Sequence, residues 1–146
     1  MYKLVKESLG FERKKDPHRA MGIGSRVRIE QWLEEMRVTN WIINTDWTID
    51  VESSVSLTYY DLEIFPDFIQ FGNIKGDFEC DRNLLESLKG CPITVGGDFK
   101  CNWNKLISLE YMPTYIGGDF YHGHNNRRFT RHEIEKLSKI NGHIYG

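Results

Sequence analysis

Two cysteines and a histidine recur at one spacing, and they are the side chains in this sequence best suited to chemistry. Cys80, Cys101 and His122 are separated by 21 residues each. Thiolate sulfur and imidazole nitrogen bind zinc, so a metal site that also uses His124 and His132 is one interpretation. Small thiols also fill buried positions as hydrophobic side chains, and this is the interpretation we adopt. We therefore expect no metal and no cofactor.

No pattern in the chain is typical of catalysis. The three cysteines, Cys80, Cys91 and Cys101, include no C-x-x-C pair, and no base is placed beside an exposed thiol, as nucleophilic catalysis would require. An odd number of cysteines argues against a disulfide framework. The stretch "MGIG" lacks the residues of a phosphate-binding loop. We expect a protein that is not an enzyme.

Three aspartates follow the same period as the cysteines. Asp77, Asp98 and Asp119 are 21 residues apart, and like charges on neighbouring strands repel each other. Local hydrogen bonds at the glycine turns would offset this repulsion, and so would a basic partner. Both explanations stay open at this point. A calcium site is less favoured, because the chain has no dense acidic ligand loop.

The charge is divided unevenly along the chain. Residues 1–28 hold eight basic and three acidic side chains (+5), residues 29–126 hold six and sixteen (−10), and residues 127–146 hold five and two (+3), which sum to −2. The acidic body predicts a protein partner with a basic surface, although the basic ends can also compensate it internally. A pI near 6.2 argues against nucleic acid as the main partner.

A regular repeat must position these side chains. The residues that recur at the same spacing are Phe78, Phe99 and Phe120; Asn83, Asn104 and Asn125; Gly76, Gly97 and Gly118; Ile74, Val95 and Ile116; Leu85 and Leu106; Leu88 and Leu109; Pro92 and Pro113. Such a period is typical of a solenoid. Alternation along a strand turns Phe and Cys inward, buried Asn satisfies backbone groups of the turn, and the Gly-Gly pair suits a bend with positive φ.

One further step of the same length leads to a degenerate first coil in "SVSLTYYDLEIFPDF". In this register Leu57 and Tyr59 take the Phe and Cys places, Leu62 takes the Asn place, and Ile64 takes the following Leu place. An atypical terminal repeat is expected, because it must pack against something other than another repeat.

The segment "FKCNWNKL", Phe99 to Leu106, resembles the leucine-rich repeat pattern L-x-L-x-x-N-x-L, and the resemblance covers about residues 55–126. It implies a solenoid with one short strand per coil, stacked into a parallel sheet. The array "GDF-x-C…N-x-L-x-S-L-x-x-x-P", preceded by a stretch such as "FERKKDPHRAMGIGS", resembles uncharacterised proteins of tailed bacteriophages. That resemblance implies a viral accessory protein without a particular activity.

The N-terminal region predicts helices and a pair of strands. "DPHRAMG" is typical of a one-turn helix, and "SRVRIEQWLEEMRV" predicts a longer helix with Ser25 as N-cap. Strands are predicted at Trp41–Ile43 and Thr48–Val51, with a turn between them at Asn44 to Asp46. The apolar face of the longer helix should dock on the first coil; it contains Ile29, Trp32, Leu33 and Met36.

The C-terminal region predicts a second cap. Thr130 and Glu133 have the spacing of a capping box, and Ile134, Leu137 and Ile140 form an apolar stripe. This helix is expected to cover the open end of the solenoid. The predicted fold class is α+β: a short leucine-rich-repeat-like solenoid with a parallel β-sheet, capped by N-terminal helices and a C-terminal helix. We divide this compact domain into residues 1–54, 55–126 and 127–146.

The outward face of the predicted sheet suggests a function. It carries three columns: Ser56, Asp77, Asp98 and Asp119; Thr58, Glu79, Lys100 and Tyr121; Tyr60, Asp81, Asn102 and Gly123. Trp103, at the strand exit, joins the rim. Solenoids use such faces for binding, and tyrosine among polar groups suits protein recognition. We expect a non-enzymatic protein-binding module; the alternative is a protein that sequesters a small ligand or a metal.

The phage resemblance narrows this expectation. It implies that the chain binds and inhibits a host protein involved in defence or in nucleic-acid handling. The sequence shows no signal peptide and no apolar run long enough to cross a membrane. We therefore expect action in the cytoplasm, which is the host cytoplasm if the protein is viral, and no membrane contact. The sequence does not predict an oligomeric state.

Overall fold

The chain winds into a parallel β-solenoid in the computed structural model, which describes residues 23–146. The predicted helix at "DPHRAMG" lies outside these residues. In the described part, the elements in chain order are α1 (Ile23–Glu35), β1 (Trp41–Ile43), β2 (Ile49–Val51), β3 (Val55–Ser56), β4 (Phe71–Ile74), β5 (Phe78–Glu79), β6 (Thr94–Val95), β7 (Phe99–Lys100), β8 (Tyr115–Ile116), β9 (Phe120–Tyr121), α2 (Arg131–Leu137), β10 (Lys139–Ile140) and β11 (Ile144–Tyr145).

Each coil contributes to two sheets. A six-stranded sheet has the order β1-β2-β4-β6-β8-β10, and a five-stranded sheet has the order β11-β9-β7-β5-β3. Only β1 and β2 pair antiparallel; the other described pairs are parallel. The predicted α+β solenoid with parallel strands is confirmed. The expectation of one strand per coil is wrong, because the apolar residues before each Gly pair, such as Val95, form strands of their own.

The period read from the sequence holds only in the middle of the solenoid. In the five-stranded sheet, Val55 pairs with Phe78 and Phe120 pairs with Ile144, and both of these steps along the chain are longer than the two between them. The predicted register of the first coil is therefore wrong, by two positions. The inward places belong to Val55 and Leu57. The predicted register would have buried Tyr59.

The interior is a stack of identical side chains. The rings of Phe78, Phe99 and Phe120 lie over one another with centroid distances of 6.1 and 5.8 Å, and the leucines of the repeat are buried beside them. Helix α1 closes the first coil, as predicted: Trp32 lies 6.2 Å from Phe65, measured between ring centroids. Burial of Ile29, Trp32 and Leu33 confirms the apolar face of this helix.

In the N-terminal region, the predicted pair of strands is confirmed and the predicted start of the helix is wrong. Strands β1 and β2 confirm the predicted pair, apart from Thr48, which precedes β2. The assignment of Ser25 as N-cap is wrong, because α1 already begins at Ile23 and Ser25 is a buried residue of the helix.

The C-terminal region adds a further coil. The capping box of Thr130 and Glu133 is confirmed, and Ile134 is buried, but Leu137 is exposed and Ile140 belongs to β10. Strands β10 and β11 pair with β8 and β9. These strands, not α2, are therefore the last members of the two sheets, and the expectation that the helix covers the open end is wrong. The division at residues 54 and 126 stays a prediction.

No helix in residues 23–146 has the length and apolar character needed to span a bilayer.

Candidate functional site

The three predicted aspartates form a row in which each side chain holds the backbone of the next coil. The backbone N–H of Asp98 donates to Oδ1 of Asp77 at 2.7 Å, and that of Asp119 donates to Oδ1 of Asp98 at 2.8 Å. His143 continues the pattern by donating its N–H to Asp119 at 2.8 Å. Ser54, rather than the predicted Ser56, starts the row by accepting from the N–H of Asp77. We call Asp77, Asp98 and Asp119 the aspartate row.

Glycine is required beside this row for a steric reason. A Cβ on Gly97 would overlap Oδ1 of Asp77, and a Cβ on Gly118 would overlap Oδ1 of Asp98. Glycine thus leaves room for the carboxylate of the preceding coil. The predicted reason, a bend with positive φ, is wrong, since Gly90 is the only glycine with positive φ in the described chain.

The aspartate row has little charge compensation within the described chain. Among the described residues, no Lys or Arg forms an ion pair with the row, and Nδ1 of the His143 imidazole lies 3.7 Å from Asp119. The three side chains are partly exposed, and neighbouring strands are about 4.8 Å apart. The N–H donors offset part of the repulsion between neighbouring carboxylates, and a line of negative charge remains at the surface.

The neighbouring column satisfies most of its own charge. It consists of Ser56, Glu79, Lys100, Tyr121 and Tyr145. Lys100 pairs with Glu79 at 3.1 Å, and its ammonium lies 5.3 Å from the ring centroid of Tyr121. The hydrogen bond to Glu79 raises the pKa of Lys100. Tyr121 stacks on Tyr145 at 4.8 Å between centroids. These residues present a rigid surface of rings and one internal ion pair.

The third column begins with Thr58 and not with the predicted Tyr60. It contains Thr58, Asp81, Asn102 and Gly123, because the corrected register places Thr58 beside Asp81 and not beside Glu79. The Thr58 hydroxyl donates to Asp81 at 3.0 Å, and Asp81 is 8% exposed. In the described chain, Oδ1 of Asn102 is buried without a hydrogen-bond partner. Asp81 therefore offers little surface, whereas Asn102 is half-buried. We call the three columns together the sheet face.

Tyr60 does not belong to the sheet face. Its backbone N–H donates to Oδ1 of Asn83, and its hydroxyl lies 3.5 Å from the carbonyl oxygen of Met36.

The Asn83 side chain also donates to the carbonyl of Leu57 at 2.8 Å. Asn104 and Asn125 make the equivalent contacts to Cys80 and Cys101. The predicted role of the asparagines, satisfying the backbone of the turn, is confirmed.

A second stack lies at the exit of the strands, and three of its four members immediately precede the repeated asparagines. Tyr59, Arg82, Trp103 and His124 have φ values of 64°, 57°, 56° and 57°, which is the left-handed region that non-glycine residues seldom adopt. The Arg82 guanidinium lies 5.7 Å from the Tyr59 ring centroid and 5.2 Å from that of Trp103. The rings of Trp103 and His124 stack at 3.8 Å. We call these four residues the turn ladder.

Only Trp103 of the turn ladder was predicted as a surface contact. The signal for Arg82 and His124 was positional, because each precedes a repeated Asn, whereas Tyr59 precedes Tyr60. Their identities differ from coil to coil, so a search for repeated letters passes over them.

The cysteines lie in the core, as expected. Cys80, Cys91 and Cys101 are free and buried, and burial raises the pKa of the Cys91 and Cys101 thiols. Burial also lowers the pKa of His122. In residues 23–146 no group of three or more His, Cys, Asp or Glu side chains has an arrangement that could hold a metal ion. This part of the chain thus offers no ligand set for the metal-sequestering alternative.

Comparison of the chain with known proteins gives no relative. It matches no family model, no curated protein and no solved structure.

Proposed function

We propose that this chain is a non-enzymatic protein-binding module and that its sheet face engages a partner with a basic surface. The observation that carries the proposal is the aspartate row, a line of three carboxylates that the backbone holds in place and that no described Lys or Arg neutralises. Fixed charge of one sign attracts a partner of the opposite sign and speeds its encounter. A preorganised surface also loses little entropy on binding.

The aromatic residues of the face support protein recognition over the binding of free ions. Tyr121 and Tyr145 stack beside the aspartate row, and tyrosine is enriched among residues that dominate protein interfaces. A tyrosine hydroxyl is protonated at neutral pH and can donate to a partner, and burial and the neighbouring Asp119 raise the pKa of Tyr121 further.

The resemblance to repeat proteins of tailed bacteriophages extends the proposal to the identity of the partner. It suggests a viral accessory protein that acts in the host cytoplasm and inhibits a host protein of defence or nucleic-acid handling. Such host proteins carry basic surfaces for phosphate contacts, and the aspartate row would compete with nucleic acid for them.

The test removes the charge of the row and keeps its hydrogen bonds. In the variant Asp77→Asn, Asp98→Asn and Asp119→Asn, each amide oxygen can still accept from the next coil, while the net charge changes from −2 to +1 (−2 + 3). The immobilised protein is incubated with lysate of a bacterial host, and retained proteins are identified by mass spectrometry. We expect the wild type to retain a basic protein that salt releases, and the variant to lose at least about nine-tenths of it.

A matched control carries the same net charge change elsewhere. Glu34→Gln, Glu35→Gln and Glu110→Gln alter exposed residues that do not belong to the sheet face and should leave recovery unchanged. Equal recovery by the Asp→Asn variant would contradict the proposal. Equal loss in the control would show that net charge, and not the sheet face, decides binding.

A further inference from the structure

The surface next to the sheet face is built from the same segment of every coil. It comprises the exposed residues of 59–64, 82–87, 103–108 and 124–129, which we call the turn side. Backbone hydrogen bonds hold these segments in register: Leu84 N–H donates to Leu62 at 2.8 Å, Lys105 to Leu85 at 2.9 Å, and Asn126 to Leu106 at 3.1 Å. Equivalent residues therefore form columns that run along the solenoid.

The charge of the turn side changes steadily from one end to the other. The first segment exposes Asp61 and Glu63, which give a net charge of −2. The second segment exposes Arg82 and Glu86, which cancel, and the third segment exposes Lys105, with a net charge of +1. The fourth segment exposes Arg127 and Arg128 (+2). Arg127 pairs with Glu133 of α2, whereas Lys105 and Arg128 form no ion pair within the described residues. The surface is thus acidic at one end and basic at the other.

Large apolar side chains interrupt these charges. Tyr59 is 72% exposed, Ile64 62%, Trp103 44% and Ile107 63%. Trp, Tyr and Arg dominate binding energies at protein interfaces, and the turn ladder presents all three in a fixed stack. Because the rings are already ordered, few rotamers would be lost on association.

We infer that the turn side is a two-fold interface between two copies of this chain. A two-fold axis brings the same patch of both copies together in opposite directions. The first segment of one copy, with Glu63, then faces the fourth segment of the other, with Arg128. The two middle segments, with Arg82 and Trp103, meet at the axis.

The charge gradient selects this arrangement. Two copies aligned in the same direction would place acid on acid and base on base, which is destabilising. The antiparallel arrangement places the acidic first segment of each copy against the basic fourth segment of the other, where Arg128 has no ion pair within the described residues, and it covers the exposed Tyr59, Ile64 and Ile107. This interface leaves the aspartate row free, so the dimer is independent of the partner proposed for the sheet face.

Charge exchange tests the inference. The mass of the full chain is measured by light scattering and sedimentation over a concentration series, and we expect the wild type to reach a dimer. One variant carries Glu63→Lys and Glu86→Lys, and another carries Lys105→Glu and Arg128→Glu; each should stay monomeric. The four changes combined restore complementarity and should restore the dimer. Trp103→Gly should weaken dimerisation by about tenfold or more.

Controls separate the interface from folding and net charge. Lys89→Glu with Glu110→Lys exchanges charges at exposed positions outside the turn side and should leave the dimer intact. Circular dichroism and thermal unfolding check that each variant is folded. A wild type that is monomeric at every concentration overturns the inference. A dimer that survives both charge reversals also overturns it, since another surface would then form it.

Discussion

The aspartate row and the turn ladder lie at opposite ends of the same strands, about 16 Å apart along an extended chain, and they are built by opposite rules. The row repeats one residue, and glycine accompanies it in each coil. The ladder uses Tyr, Arg, Trp and His at one backbone conformation, with φ values between 56° and 64°. Both are columns of the same repeat, yet only one of them repeats its amino acid.

The difference lies in what each side chain contacts. An aspartate of the row accepts a hydrogen bond from the backbone of the next coil, and the backbone requires the same acceptor in each coil. A ladder residue contacts the side chains of its neighbours and solvent, so any planar group can stack there. Of these two columns, the one with identical residues contacts backbone, and the one with variable planar residues forms a surface that is free to serve binding.

The largest effect is expected where a repeated side chain is both buried and bonded to backbone. Asn104 accepts from the N–H of Leu85 at 2.9 Å and donates to the carbonyl of Cys80 at 3.0 Å. Asn104→Ala leaves these groups unpaired in the interior, so we expect a loss of about 3 kcal/mol in the free energy of unfolding. Chemical denaturation measures it.

Asn102→Ala is the matched control for this prediction. Asn102 lies two residues away, and its Oδ1 has no hydrogen-bond partner in the described chain. Its removal should change the stability by less than about 0.5 kcal/mol. Equal losses for the two variants would contradict the view that backbone contacts explain the repeated residues.

A smaller effect is expected in the aspartate row, which is only partly buried. Asp98→Ala removes the acceptor for the N–H of Asp119 and should cost about 1–2 kcal/mol. Asp98→Asn keeps an acceptor and relieves repulsion between neighbouring carboxylates, so its stability should stay within about 0.5 kcal/mol of the wild type. Thermal denaturation of the two variants separates the hydrogen bond from the charge. A loss in Asp98→Asn as large as in Asp98→Ala would assign the role to charge instead.

The sequence predicted those parts of the fold that repeat. The regular period located the inward Phe and Cys and the buried Asn, because packing against a neighbouring coil imposes the same residue each time. It failed in the first and last coils, where the steps between paired strands are longer and the last step contains α2. In the first coil, the inward places could be assigned only by asking whether Val55 or Tyr59 is the better residue to bury.

The candidate site was predictable in part for the same reason. The aspartate row was visible as a repeated letter, although its hydrogen bonds to the next coil were not, since they depend on how far apart the coils stack. The turn ladder was hidden, because left-handed φ values usually signal Gly or Asn. Arg82 and Trp103 are neither, so the sequence concealed the conformation that aligns them.

A smaller change in stability than for Asp98→Ala is expected when Trp103 of the turn ladder is replaced by glycine. At this position Gly should be better tolerated than Ala, the reverse of the order usual within helices and strands. Trp103→Gly loses the contacts of the indole with Arg82 and His124 but relieves a left-handed conformation that costs a non-glycine residue about 1 kcal/mol. We expect its unfolding free energy to stay within about 1 kcal/mol of the wild type. Trp103→Ala loses the same contacts and keeps the strain, so it should be less stable than Trp103→Gly.

Denaturant titrations of both variants, performed at a concentration where each is monomeric, measure the difference in unfolding free energy. A loss above about 2 kcal/mol in Trp103→Gly would make the ladder part of the core and remove its contrast with the aspartate row. A near-neutral glycine would instead mean that folding does not require this indole, and a binding role would then account for its exposed position.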